Sequence, residues 1–445
     1  MKKILVKNAT IINEGLSFIG SVVIEGEKIE KIIKGDIVSE DTYSEVIDAT
    51  GKYLIPGVID DHVHFRDPGL THKADISSES RAAAAGGVTS FMDMPNTIPQ
   101  TTDLDALNIK FQLGAEKSLV NYSFYFGATN TNTNLLSQLD SHHVCGVKLF
   151  MGSSTGNMLV DRKEILLKVF GETDLIIAAH CEDAAIIAEN TRIAREKYGD
   201  DPDVKYHPII RSEEACYASS ALAVELAEKT GSRLHILHIS TAKELGLFSK
   251  GPLAGKKITA EACVPHIVFN DSLYEQLGTR IKCNPAIKSV IDRDSLIKGI
   301  SNNLIDVVAT DHAPHLLSEK EGGALKAVSG MPMIQFSLTT MLDHSSPETF
   351  TKEQVVQKMC HAPAELFQIR NRGYIREGYQ ADLVLVNPEA GWTLKKEMIL
   401  SKCGWSPLEG FSFKHRVERT FVNGHTVYNK GEIDKNYRGQ ELQFR

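Results

Sequence analysis

No two cysteines in this chain stand at Cys-x-x-Cys spacing. The seven of them (Cys145, Cys181, Cys216, Cys263, Cys283, Cys360 and Cys403) are scattered. That excludes a zinc ribbon and thioredoxin-like redox chemistry and fits reduced thiols in a cytoplasmic protein. Basic charge is not in excess either. A formal net charge of −8 argues against a nucleic-acid partner, which calls for a basic face. A small-molecule substrate is the expectation that remains. No apolar run reaches the roughly 18 residues that span a bilayer, so no membrane partner is expected. The stretch Met1–Asn8 has charge but no apolar core and no small-residue cleavage site, so no signal peptide is expected. Repeats and low-complexity tracts are also missing.

A length of 445 residues with 42% hydrophobic side chains suits a barrel of about 250 residues plus a second module. Residues 1–53 read as short strands: Ile4-Leu5-Val6, Ser21–Glu25 and Lys28–Ile33 are β-branched runs separated by turn residues. From 54 to about 364 short apolar runs alternate with longer amphipathic segments such as Ser77–Ala85 and Glu213–Thr230. Eight candidate strands fall at 54–60, 88–94, 121–127, 145–150, 174–180, 233–239, 257–263 and 304–310. Strand–helix alternation repeated eight times predicts an α/β fold, a closed (β/α)8 TIM barrel. After 364 strands return, at 378–386 and 417–424. The two chain ends share this β character, which predicts one small β-sandwich domain built from both termini. The expected division is 1–55, barrel 56–364, and 365–445 with a tail.

In such a barrel the chemistry sits at the C-terminal ends of the strands. Polar residues follow the apolar runs here on that side each time. Asp60-Asp61-His62-Val63-His64-Phe65-Arg66-Asp67-Pro68-Gly69 follows the first run, and a spacing of two places His62 and His64 on one side of an extended chain. Lys148, His180, His238 and Asp311 end four later runs. A single strand-end histidine is most often a core or loop residue. Five run-ends that all offer a metal ligand, or a group convertible to one, point to a metal centre.

These stretches, with Met94-Pro95-Asn96-Thr97, Gly146–Phe150, His235-Ile236-Leu237-His238-Ile239-Ser240 and Thr310-Asp311-His312-Ala313-Pro314-His315, resemble the amidohydrolase superfamily over nearly the whole chain. Within it the resemblance narrows to the dihydroorotase branch. It implies two metals, usually zinc though other divalent ions serve. His62, His64 and Asp311 would hold the more buried one, and His180 and His238 the second. Lys148 would bridge them as a carbamate made with carbon dioxide (N6-carboxylysine). A carbamate is anionic and has two oxygens, and two cations beside it favour that form. His238, not His235, is the expected ligand. The metals together lower the pKa of a shared water, and Asp311 would take its proton on attack and return it to the leaving ring nitrogen. A homodimer is the family's common form.

Substrate choice needs further groups. Arg66, two past His64, should point into the same mouth and fork onto a carboxylate. Asn96 and His315 complete the trio that resembles the dihydroorotase carboxylate pocket, and hydantoinase-like relatives generally lack the arginine. Asn284 resembles a position that contacts the pyrimidine ring, and Gly330 is expected to line the pocket through its backbone. The glycine-flanked segment 152–157 reads as a mobile loop, with Ser154 and Thr155 as substrate contacts. It is not a P-loop, because no Gly-Lys-Ser/Thr follows. The reading implied is reversible ring opening of L-dihydroorotate to N-carbamoyl-L-aspartate, a step of pyrimidine synthesis. The alternatives are a hydantoinase- or allantoinase-like cyclic amidase, and an inactive relative serving as a scaffold.

Overall fold

The computed structural model describes residues 3–35, 43–152 and 158–445. Eight parallel strand positions follow one another around a barrel. They are Val58–Val63, Val88–Asp93, Asn121–Phe124 continued by Phe126–Gly127, Val147–Phe150, Ile177–His180, Leu234–Ile236, Ile258–Cys263 and Val307–Ala309. The first three pair in sequence, and the continuation of the third pairs on through the last. A parallel bridge between Val63 and His312 brings the final strand back to the first. Helices such as Ile76–Ala85 and Glu213–Thr230 occupy the intervening segments. Both begin as the physics of helix ends requires. Asp75 accepts from the amide of Ser78 and Ser212 from that of Ala215, satisfying donors that have no intrahelical partner.

Both chain ends share one nine-stranded sheet. Tyr53–Pro56 lies at its middle, between Lys3–Asn13 and Leu383–Asn387. On the N-terminal side Leu16–Glu25 and Lys28–Lys34 continue the sheet, and on the other side Arg416–Val422, His425–Asn429 and Glu432–Ile433 do. Its own core includes Ile4, Val22, Ile24, Leu54, Leu385 and Phe421. The run expected as one strand over 54–60 is therefore two. Pro56 ends the part that belongs to the terminal sheet, Gly57 donates to Asp382 O (2.8 Å), and Val58 opens the barrel. An unbroken apolar run does not reveal that its halves face different sheets.

The turn after the first barrel strand is fixed by two close approaches. Gly69 has φ +83°, and a Cβ there would lie 1.9 Å from Ile98 O. Only glycine lets the Arg66 loop lie against the Asn96–Ile98 loop. On the other side Asp93, fully buried, accepts the amide of Phe65 (2.8 Å) and pairs with the buried ammonium of Lys110, which also donates to Met94 O (2.8 Å). Replacing Lys110 by methionine is expected to cost about 3–5 kcal/mol, because it strands a buried carboxylate. Urea unfolding of the purified variant measures it, and a loss under about 1 kcal/mol would mean that Asp93 takes up a proton or water in place of the lysine.

Candidate active site

At the C-terminal mouth of the barrel lies a cavity of about 530 Å³. His62, His64, Lys148, His180, His238 and Asp311 all line it. Arg66, Asn96, Asn284, His315 and Gly330 line it too. The expected contacts Ser154 and Thr155 lie outside the described residues. His235 is buried outside this lining, with Nδ1 2.8 Å from Thr259 Oγ1 and Nε2 3.3 Å from Asp61 Oδ2.

The strand ends set the geometry. Asp311 Oδ1 stands 3.3 Å from His62 Nε2 and 3.1 Å from His64 Nε2, and these three form a group able to hold a cation. His180 Nδ1 and His238 Nε2 face each other at 2.9 Å. His62 and His238 are neighbours, with ring centroids 5.3 Å apart. Behind the rings stand acceptors. His62 Nδ1 is 2.9 Å from Glu261 Oε1, His64 Nδ1 is 2.7 Å from Asn96 Oδ1, and His180 Nε2 is 2.9 Å from Glu182 Oε2. An imidazole whose outer N–H is held this way turns its other nitrogen lone pair inward. His238 and Asp311 have φ of +40° and +46°, and Arg66 has +68°. Non-glycine residues in that region cost of order 1–3 kcal/mol each and concentrate where side-chain aim matters.

Electrostatics agree with that aim. Burial pushes His64 down to about 4, and lowers His180 and His238 as well, so these rings are neutral and their lone pairs available. Burial alone would raise the Asp311 carboxyl, but the His62 and His64 imidazoles outweigh it and hold the group at about 2. Lys148 is fully buried and burial pushes its ammonium down to about 8. Among the described residues it forms no ion pair with a carboxylate; its neighbour is the Phe150 ring, 4.6 Å away. His238 Nδ1 is buried without a hydrogen-bond partner among those residues. Glu261 and Asp311 raise His62 against its burial, and a cation bound at its Nε2 would take the place of that proton. Three neutral imidazoles, a fourth ring held between two carboxylates, an ionised carboxylate and a buried lysine with no carboxylate partner among the described residues are a donor set that fits divalent cations.

The substrate end differs in character. Arg66 Nε donates to Pro314 O (3.1 Å) and its Nη2 to His315 Nε2 (2.9 Å). Burial lowers the guanidinium to about 10, which leaves it cationic at neutral pH. Lys73 Nζ reaches His315 Nδ1 (3.1 Å) and pairs with Glu319 (2.6 Å). Burial and these cations drive His315 far down. A neutral imidazole has only one acceptor nitrogen, so Arg66 and Lys73 compete for it.

Several residues that sequence reasoning missed hold the site together. Glu261 supports two of the histidines, through His62 Nδ1 and the amide of His238 (2.9 Å each). Its signal was present, as a lone acid in the apolar strand Ile258–Cys263. Glu182 joins His180 to Arg211, and Arg211 and Lys282 line the cavity. Nothing in their local sequence marks those two as interior.

The model of the amidohydrolase family matches residues 53–427, and the chain belongs to that family of hydrolases. A dihydroorotase of Lactobacillus johnsonii is 32% identical over 433 residues, covering 96% of this chain and 99% of the relative. An allantoinase of Bacillus velezensis is 30% identical over 436 residues, covering 96% and 94%. The solved L-hydantoinase (dihydropyrimidinase) of Arthrobacter aurescens superposes over 100% of both chains with a TM-score of 0.94 at 25% identity. Among the described residues no helix is long and apolar enough to cross a membrane.

Proposed function

We propose that this hydrolase is a dihydroorotase, opening the ring of L-dihydroorotate to N-carbamoyl-L-aspartate and closing it again, in pyrimidine synthesis. The observation that carries this reading is the buried Arg66 in the same cavity as the histidine–aspartate cluster. A ring-borne carboxylate needs a fixed cation, and hydantoin and allantoin have no such group. The cavity lining agrees. Away from the proposed metal ligands Arg66, Arg211, Lys282 and Lys326 line it, and among the described lining residues Asp311 is the one carboxylate, which suits a product with two carboxylates.

His62, His64 and Asp311 would hold one divalent cation, and His180 and His238 the second. Lys148 would stand between them as its carbamate, with zinc the metal the donor set favours. When bound, the pair would supply Lewis-acid activation of water and carbonyl. The rest belongs to the chain. Arg66, with Asn96 and His315 beside it, holds the carboxylate and so fixes which ring carbonyl faces Asp311. Asn284 borders the ring. Asp311, ionised, accepts the proton of the attacking water and passes it to the leaving ring nitrogen. In ring closure it takes that proton back from the ureido nitrogen.

Purified protein loaded with zinc, assayed on dihydroorotate, dihydrouracil, hydantoin and allantoin, tests the reading. The expected result is a kcat/KM for dihydroorotate at least about 100-fold above that for dihydrouracil, the same ring without the carboxylate. Equal turnover of the two would remove the basis of the assignment. Metal content near two per subunit is expected, whereas a scaffold would bind none.

A further inference from the structure

A lysine is buried behind the wall of the cavity that carries Gly330. Lys320 is 3% exposed. Its Nζ donates to the carbonyls of Lys282 (3.0 Å), Val328 (2.6 Å) and Gly330 (2.7 Å). An ammonium has three donors, and here each meets a carbonyl. Among the described residues no carboxylate forms an ion pair with it, and burial pushes its pKa down to about 7. Such a charge is costly to bury, and a methionine would fill the same space without that cost.

The three carbonyls come from the two segments that wall the substrate end. Residues 282–284 bring Asn284, and 328–330 bring Gly330. Gly330 has φ +128°, and a Cβ on it would lie 2.8 Å from Ala313 O and 2.9 Å from His315 Cδ2. Its backbone therefore presses on the imidazole that faces Arg66. Trp405 closes the far side, donating from Nε1 to His315 O (2.7 Å) with its ring 6.0 Å from the Lys320 ammonium.

We propose that Lys320 is a positioning residue for the anionic end of the substrate. It draws the two wall segments together so that His315 sits against Arg66. It therefore sets the preference for a carboxylate-bearing ring while leaving the hydrolytic step alone. This rests on the reading that the carboxylate lies at Arg66.

The test compares Lys320→Met, Lys320→Gln and Gly330→Ala with the parent protein on dihydroorotate and on dihydrouracil. The affinity of orotate, a planar anion of the same class, is measured by calorimetry alongside. For the lysine variants KM for dihydroorotate and Kd for orotate are expected to rise at least tenfold. Their kcat, and kcat/KM for dihydrouracil, should change less than threefold. Gly330→Ala, which keeps the lysine and moves the wall, should raise KM for dihydroorotate at least tenfold. If the parent itself does not prefer dihydroorotate, the underlying reading fails before any variant is considered. If the parent prefers it and the lysine variants lose both substrates equally, or neither, the role of Lys320 is refuted. Should methionine prevent folding, glutamine, which keeps two donors without charge, decides by the same criterion. A Gly330→Ala protein that loses nothing on dihydroorotate would refute the wall contact.

Discussion

Asp311→Asn is expected to lower kcat for ring opening by about 10³-fold or more, the range for removing a proton-transfer group that also shapes the site. The asparagine is nearly isosteric, so the fold should persist and the variant should still bind orotate. What changes is charge and basicity. The carboxylate is held at about 2, against burial, by His62 and His64, so it is ionised throughout the neutral range and able to accept a proton. An amide cannot. Loss of charge between the two imidazoles also weakens any cation held there, so metal content must be read with the rate. A variant that keeps its metals and loses the rate places Asp311 in proton transfer. A variant that loses both and recovers the rate under excess zinc assigns it to ligation alone. Activity within tenfold of the parent, with metals retained, would mean that another group is the base.

The legible part of this site is the part that strand geometry controls. A side chain at the end of a barrel strand must face the mouth or the helices, and parity decides which. That is why His62, His64, Lys148, His180, His238 and Asp311 could be picked from the chain and why all six line one cavity. The resemblance, not alternation, separates His238 from His235, whose Nε2 also lies 3.8 Å from Glu261 Oε2. The barrel was readable for a related reason, since eight alternations leave few other topologies. The boundary at Pro56 was not, because the apolar residues on either side look alike although they serve different sheets. Glu261 and Glu182 went unread because each acts by holding another side chain, and that partnership exists only in three dimensions. Lys320 is the extreme case. Within Leu317–Lys320 and the glutamate after it it resembles any surface lysine, and only the folded wall shows three carbonyls around it.

Arg66→Met is expected to lower kcat/KM for dihydroorotate by about 10²–10⁴-fold, which corresponds to roughly 3–5 kcal/mol, the usual cost of leaving one member of a buried charge pair alone. The guanidinium is well prepared for that role. It is 7% exposed and held at φ +68°, with Nε on Pro314 O and Nη2 on His315. Two of its five N–H groups are thus engaged, and the remaining three can meet a carboxylate in a planar fork. Little ordering entropy is lost when the substrate arrives, since the side chain is already fixed. Arg66→Lys should recover only part of the loss, because an ammonium is a point charge on a flexible stem and cannot reproduce the fork. The discriminating arm is dihydrouracil. It offers the parent no anion and leaves the guanidinium unpaired, so the methionine variant should handle it at least as well as the parent does. The ratio of the two specificities would then collapse by the full factor lost on dihydroorotate. If both substrates fall together, Arg66 supports the metal-binding framework through His315 and Pro314 and does not read the carboxylate. The choice of dihydroorotate over an uncharged cyclic amide would then lose its physical basis.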